Sequence, residues 1–194
     1  MPRTPDQYQE LKDKRRAQLM YFGLKSFGGG TYKDVKVSDI AKTAKCSHGL
    51  FFHYFEDKEA FFSAIWKELI LPCQSLPTYD QYRSLKGSKG LQELCKYFDK
   101  IAKMDAKTLL KVRIYVLYPL DPAIEKTFPK LFRGLSFKVL LKTLLKEAQE
   151  EGVAIAGPIE EIVASALLLF NEILWKPTVI HGGLIYNLLT KSVG

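Results

Sequence analysis

Apolar side chains recur at spacings of three and four along most of the chain, and no stretch sustains the period-two alternation of a half-buried strand. The pattern therefore predicts an all-α fold of about nine helices. A first helix is expected over about 6–27, with Met20, Leu24 and Phe27 on one stripe and "KDKRR" exposed near its start. The glycines of "GGGTYKD" end it, since three in a row have little reason to stay helical. Two short helical pieces follow at about 37–44 and 48–54, split by "KCS". A fourth helix is expected over 58–71, N-capped by Asp57 and stopped by Pro72.

The polar, glycine-dotted run "PTYDQYRSLKGSKG" reads as a loop or weak helix. Beyond it, helices are expected at about 91–103, 106–118, 129–151, 158–176 and 179–191. Their breaks are "YPLDP", residues 152–157, and Pro177 with Gly182 and Gly183. The reading divides the chain into a head, 1–56, and a body, 57–194, with helix 57–71 linking them.

Composition narrows the class. With 194 residues, 47% hydrophobic and 26% charged, the chain has material for a buried core and does not read as disordered or membrane-spanning. The longest apolar segment, residues 162–175, is shorter than a bilayer span and contains Asn171 and Glu172. The N-terminus has no apolar leader, which points to the cytoplasm. Three cysteines without Cys-x-x-Cys spacing read as reduced structural thiols. The formal charge of +8 favours an anionic partner, and residues 1–45 hold ten Lys or Arg against five Asp or Glu, a net +5.

Chemistry concentrates in "KCSHGLFFHYFEDKEAFF". Two short helices separated by a three-residue turn are unstable alone and suggest a helix-turn-helix, whose second helix enters a DNA major groove. Ile40, Ala41 and Ala44 would pack inward from one helix, and Phe51 and Phe55 from the other; Phe61 and Phe62 read as core. His48, Gly49, Leu50, Phe52, His53 and Tyr54 remain on the outer side. His48 and His53 lack the i, i+4 spacing of a helical metal pair, and nothing near Ser47 suggests an orienting acid or oxyanion hole. No metal, cofactor or catalytic group is expected. Glu147, Glu150 and Glu151 read as a solvated helix end, and His181 as a turn or interface residue.

Over its first third, from "RRAQLMYFGLKSF" through "VKVSDIAKTAKCSHGLFFHYFEDKEAFF", the chain resembles the TetR family of transcriptional regulators. Ile40-Ala41, Ala44, Ser47-x-Gly49, the aromatic run ending at Phe55 and then Lys58-Glu59 carry the resemblance. It implies a recognition helix in which Ser47, His48, Gly49 and Leu50 face bases or phosphates and Phe52, His53 and Tyr54 line the groove. Lys58 would meet a phosphate at the start of the fourth helix. The chain departs from the family at Lys36, where a capping Thr or Ser is usual, and at Lys45, where the turn usually has glycine. Phe52 replaces a common tyrosine, and Tyr54 stands where histidine is frequent. Lys36 and Lys45 are expected to reach the DNA backbone through their charge.

The segment 162–175 is apolar nearly all round, so it needs cover on more than one side. A second subunit would supply it, and the resemblance implies a homodimer through helices 158–176 and 179–191, reading a palindromic operator in double-stranded DNA. The resemblance also implies a pocket for a small, apolar or aromatic effector among the body's many rings, for which Tyr115, Tyr118, Phe170 and Glu172 are the selected contacts. The predicted function is thus a ligand-relieved transcriptional repressor. The competing class is a helical carrier or sensor of apolar ligands whose basic front helix lies on a membrane; the tight "KCS" turn tells against it.

Overall fold

The computed structural model describes residues 4–132, 137–177 and 179–190. These contain eleven α-helices and no strand beyond an isolated bridge between Ala154 and Thr190. They fall into two compact units, Met1–Gln74 and Ser75–Gly194.

The first unit holds α1 (Pro5–Gly28), α2 (Val37–Thr43), α3 (His48–Tyr54) and α4 (Lys58–Ile65). A reciprocal cap starts α1: the Gln7 amide donates to Thr4 Oγ1 at 3.3 Å, and the Thr4 amide donates to Gln7 Oε1 at 3.1 Å. Asp57 caps α4 as expected, its Oδ1 accepting the Ala60 amide at 2.6 Å. After Ile65 the chain continues as a π-helical turn, Trp66–Ile70, and stops before Pro72. Phe27, Phe51, Phe55, Phe61 and Phe62 are buried together, Phe61 lying 5.0 Å from Phe51 and 4.6 Å from Phe55, ring centre to ring centre. Gly23 makes room for this cluster, since a Cβ there would fall 2.3 Å from Phe61 Cζ. Because Phe61, Phe62, Ile65 and Trp66 build the core of this unit, the helix expected to link two domains belongs wholly to the first. The division falls after Gln74, not after residue 56.

The second unit holds α5 (Tyr79–Tyr82), α6 (Gly87–Asp99), α7 (Ala106–Leu117), α8 (Pro122–Thr127), α9 (Phe137–Glu150), α10 (Ile159–Trp175) and α11 (Gly182–Leu189). The short α5 and α8 account for the two helices beyond nine; α8 starts where Pro122 follows the capping Asp121, inside the expected "YPLDP" break. Residues 129–132 are not helical, 133–136 lie outside the described residues, and α9 starts at Phe137. Lys191, at the end of the expected last helix, also lies outside them. Gly182 and Gly183 open α11 instead of interrupting a helix begun at 179.

Helix α6 packs against both α9 and α11. Two glycines permit these close approaches. A Cβ on Gly90 would lie 2.5 Å from Leu144 Cδ2, and one on Gly182 would lie 1.8 Å from the carbonyl oxygen of Cys95. The rings of Phe98, Phe137 and Phe170 meet in the centre, at 4.3 to 5.5 Å. Lys86 precedes α6 without a side-chain cap, so α9 supplies one: the Gly87 amide donates to Glu147 Oε2 at 2.7 Å and the Ser88 amide to Glu151 Oε2 at 2.9 Å. The two glutamates expected to be a solvated helix end thus satisfy amides that would otherwise face no acceptor.

Candidate nucleic-acid interface

Helices α2 and α3 are joined by a turn whose hydrogen bonds form a Schellman motif. The Cys46 amide donates to Ala41 O at 2.9 Å and the Lys45 amide to Lys42 O at 3.0 Å. The motif requires a left-handed residue, and Lys45 takes that role at φ 52°, at a cost of about 1–2 kcal/mol relative to a right-handed conformation. Arg15 of α1 braces the turn by donating to Ala44 O at 3.3 Å, placing a cation at the carboxyl end of α2.

Ser47 starts α3 by accepting the Leu50 amide at 3.2 Å. Its hydroxyl hydrogen remains available to an outside acceptor. With Phe51 fully buried and Phe55 nearly so, α3 has one fixed orientation, leaving Ser47, His48, Gly49, Phe52 and His53 exposed and Leu50 and Tyr54 half-buried. His48 and Phe52 form an edge-to-face pair at 4.8 Å, and His53 and Tyr54 another at 5.4 Å. Phe52 is 44% exposed, leaving an apolar group for contact with a thymine methyl. A Cβ on Gly49 would meet nothing within 4 Å, so packing does not demand glycine there.

Lys36 is the residue before α2 and makes no side-chain capping bond. Lys58 opens α4, but its ammonium turns back on the head. It donates to Tyr32 O at 2.5 Å and lies 4.3 Å from the Tyr32 ring centre. Partial burial lowers its pKa, with Glu59 and Asp34 opposing that shift. Tyr32 is itself held by stacking on Phe27 at 5.7 Å and by donating its hydroxyl to Glu59 Oε1 at 3.1 Å. Burial first, and Glu59 second, push its phenol far above the ordinary range. Sequence reasoning missed Tyr32 because the positioning contact spans the "GGGTYKD" loop, and Arg15 because its acceptor is a backbone carbonyl.

In the second unit, Tyr115, Tyr118 and Phe170 are buried. Burial raises the Tyr115 phenol to about 12, with Asp80 adding to the shift. Glu172 does not join them: its side chain is 42% exposed and pairs with Lys176 at 3.0 Å, one turn along α10. Glu172 lies beside the half-buried Asn171, while Phe170, Ile173 and Leu174 face inward. Among the described residues, no three His, Cys, Asp or Glu side chains are grouped to hold a metal, and no helix is long and apolar enough to cross a membrane.

Residues 23–65 match the family model of bacterial regulatory proteins, tetR family. No curated protein matches the chain in sequence. Among solved structures, HlyIIR, described as a hemolysin II transcriptional regulator, aligns over 93% of this chain and 99% of its own at 20% identity, with a TM-score of 0.65. The transcriptional regulator FadR of Bacillus subtilis, solved in complex with stearoyl-CoA, aligns over 92% and 99% at 13% identity and a TM-score of 0.54. A protein described as superantigen pfit aligns over 91% and 89% at 15% identity and 0.53. At these identities the likeness shows the fold, which recurs under quite different descriptions.

Proposed function

We propose, from the match of residues 23–65 to the tetR family of bacterial regulatory proteins, that the chain is a homodimeric, ligand-responsive repressor acting at a palindromic operator. One observation carries the reading: α3 is fixed by Phe51 and Phe55 yet presents Ser47, His48, Gly49, Phe52 and His53 outward, on a braced turn. A rigid helix with hydrogen-bonding groups, an exposed ring and a gap at its front suits a major groove. Lys36, Lys45 and Lys58 supply charge for the backbone, with Leu50 and Tyr54 at the flank of the reading face.

The dimer is supported by apolar surface on α10 and α11. Leu168, Leu184 and Leu188 are 71%, 50% and 53% exposed, apolar side chains that a second copy would cover. Two copies joined there would give an isologous interface and two α3 helices for two half-sites. For the effector, FadR of Bacillus subtilis was solved with stearoyl-CoA on a similar fold, and an apolar or aromatic ligand is the reading proposed here, with Tyr115, Tyr118 and Phe170, each buried, as its contacts. Glu172 would reach such a ligand only from the outer side of α10. Release of DNA then follows if the effector prefers the state with the two heads at the wrong separation.

The membrane-carrier alternative finds no support in α1, whose residues from Pro5 to Lys14 are exposed on every side and carry acids and bases without an apolar stripe. The test is a titration of the full chain with the intergenic DNA beside its own gene and with random duplex, at several salt concentrations. Preference for the intergenic duplex that persists as salt rises is expected; salt-dependent but sequence-blind binding would overturn the reading.

A further inference from the structure

The amino-terminal turns of α1 and one side of α3 enclose a cleft of about 270 Å³, lined by Tyr8, Leu11, Lys12 and Arg15 from α1 and by Leu50, His53 and Tyr54 from α3. No lining residue is acidic. The neighbouring cations are already committed: Lys14 pairs with Glu10 at 2.6 Å, Arg16 grips Glu68 with two bonds of 2.6 Å, and Arg15 donates to Gln18 and Ala44. Lys12 makes no hydrogen bond or ion pair among the described residues, and neither do the side chains of Tyr8 and His53. Donors without internal partners therefore converge above a floor made by Leu11 and Leu50. Tyr8 is 69% exposed and Leu11 43%, so the α1 side of the cleft is built from residues that the head's own packing does not use.

We propose that this cleft takes one phosphodiester of the operator backbone with its deoxyribose, just outside the bases that α3 reads. Lys12 and Tyr8 meet the phosphate oxygens, His53 donates from the opposite wall, and Leu11 and Leu50 lie against the sugar. The chemistry is charge complementarity combined with an apolar seat, which a free anion would only half fill. This rests on the regulator reading above and extends it: α1, outside the helix-turn-helix, sets how far the footprint reaches.

The test uses the full chain and a duplex that it recovers from a randomised pool, with each backbone linkage replaced in turn by a neutral methylphosphonate. At one flanking linkage, neutralisation is expected to weaken the unaltered chain severalfold and to have no further effect on Lys12→Ala or Tyr8→Ala. Lys12→Ala should also reduce the salt slope of binding by about one while leaving the ratio of recovered to random duplex unchanged. If Lys58→Ala couples to a linkage and neither cleft variant does, the cleft inference is wrong and the regulator reading stands. If the pool yields no preferred duplex, both fall.

Discussion

The ammonium of Lys58 is tethered to Tyr32, donating to its carbonyl oxygen at 2.5 Å and facing its ring at 4.3 Å. An ammonium carries three donors, so two remain for a phosphate while the third fixes its position. Lys58→Ala is expected to weaken cognate and random duplexes alike and to reduce the salt slope by about one. Tyr32→Leu, which removes the ring contact but retains the carbonyl, should give a smaller loss of the same kind. Fluorescence anisotropy over a salt series measures both.

Tyr54 stands half-buried where the cleft wall meets the reading face. Tyr54→Ala is expected to cost about 1–3 kcal/mol at cognate DNA if its hydroxyl reads a base. The same titrations on random duplex provide the control. Equal losses on both duplexes would remove Tyr54 from the reading face.

The head was legible because its signals are local. "KCS" between two apolar-patterned pieces marked α2 and α3, and Asp57 marked the start of α4. The body was less so, because its boundaries depend on partners distant in sequence. Nothing near Gly87 announces that α6 begins there, since its cap comes from Glu147 and Glu151, some sixty residues on. Gly182 likewise looks like a helix breaker until Cys95 O is found against it. The placement of Glu172 was open for a related reason: an acid within an apolar run has no defined face until the helix is oriented.

Arg16 holds the Glu68 carboxyl below its ordinary range, chiefly through their paired hydrogen bonds. The folded pKa is thus lower than the unfolded one, so the pair stabilises above the ordinary value of 4.5 and loses that contribution as pH falls through the lowered folded value. Both side chains are partly exposed, so the contribution is about 0.2–1 kcal/mol. Urea unfolding of Glu68→Gln should show that deficit near neutral pH and lose it as pH falls through the lowered folded pKa, below which the carboxylate is protonated in both states.

Gly182 and Gly183 make a matched pair. A Cβ at 182 falls 1.8 Å from Cys95 O, a backbone atom that moves only if α6 moves, whereas at 183 the nearest atom is Asp99 Oδ2 at 3.9 Å. Gly182→Ala is expected to destabilise the body by about 1–3 kcal/mol or more. Gly183→Ala should be neutral or slightly stabilising, through helix propensity. Thermal melting of the two variants side by side tests whether the α6–α11 approach needs glycine.

Gly49 sets stability against function. Nothing lies within 4 Å of where its Cβ would be, so the fold has no steric use for glycine in the first turn of a seven-residue helix. Alanine is the better helix former by about 0.8–1 kcal/mol in a helix interior, and somewhat less near an end. Gly49→Ala should therefore stabilise the head by about 0.5–1 kcal/mol. If α3 approaches base edges as proposed, the added methyl occupies the space that the missing side chain leaves for DNA, and cognate affinity should fall while the head melts higher. A variant that gains stability and keeps full cognate affinity would show that the front of α3 is not the surface DNA meets.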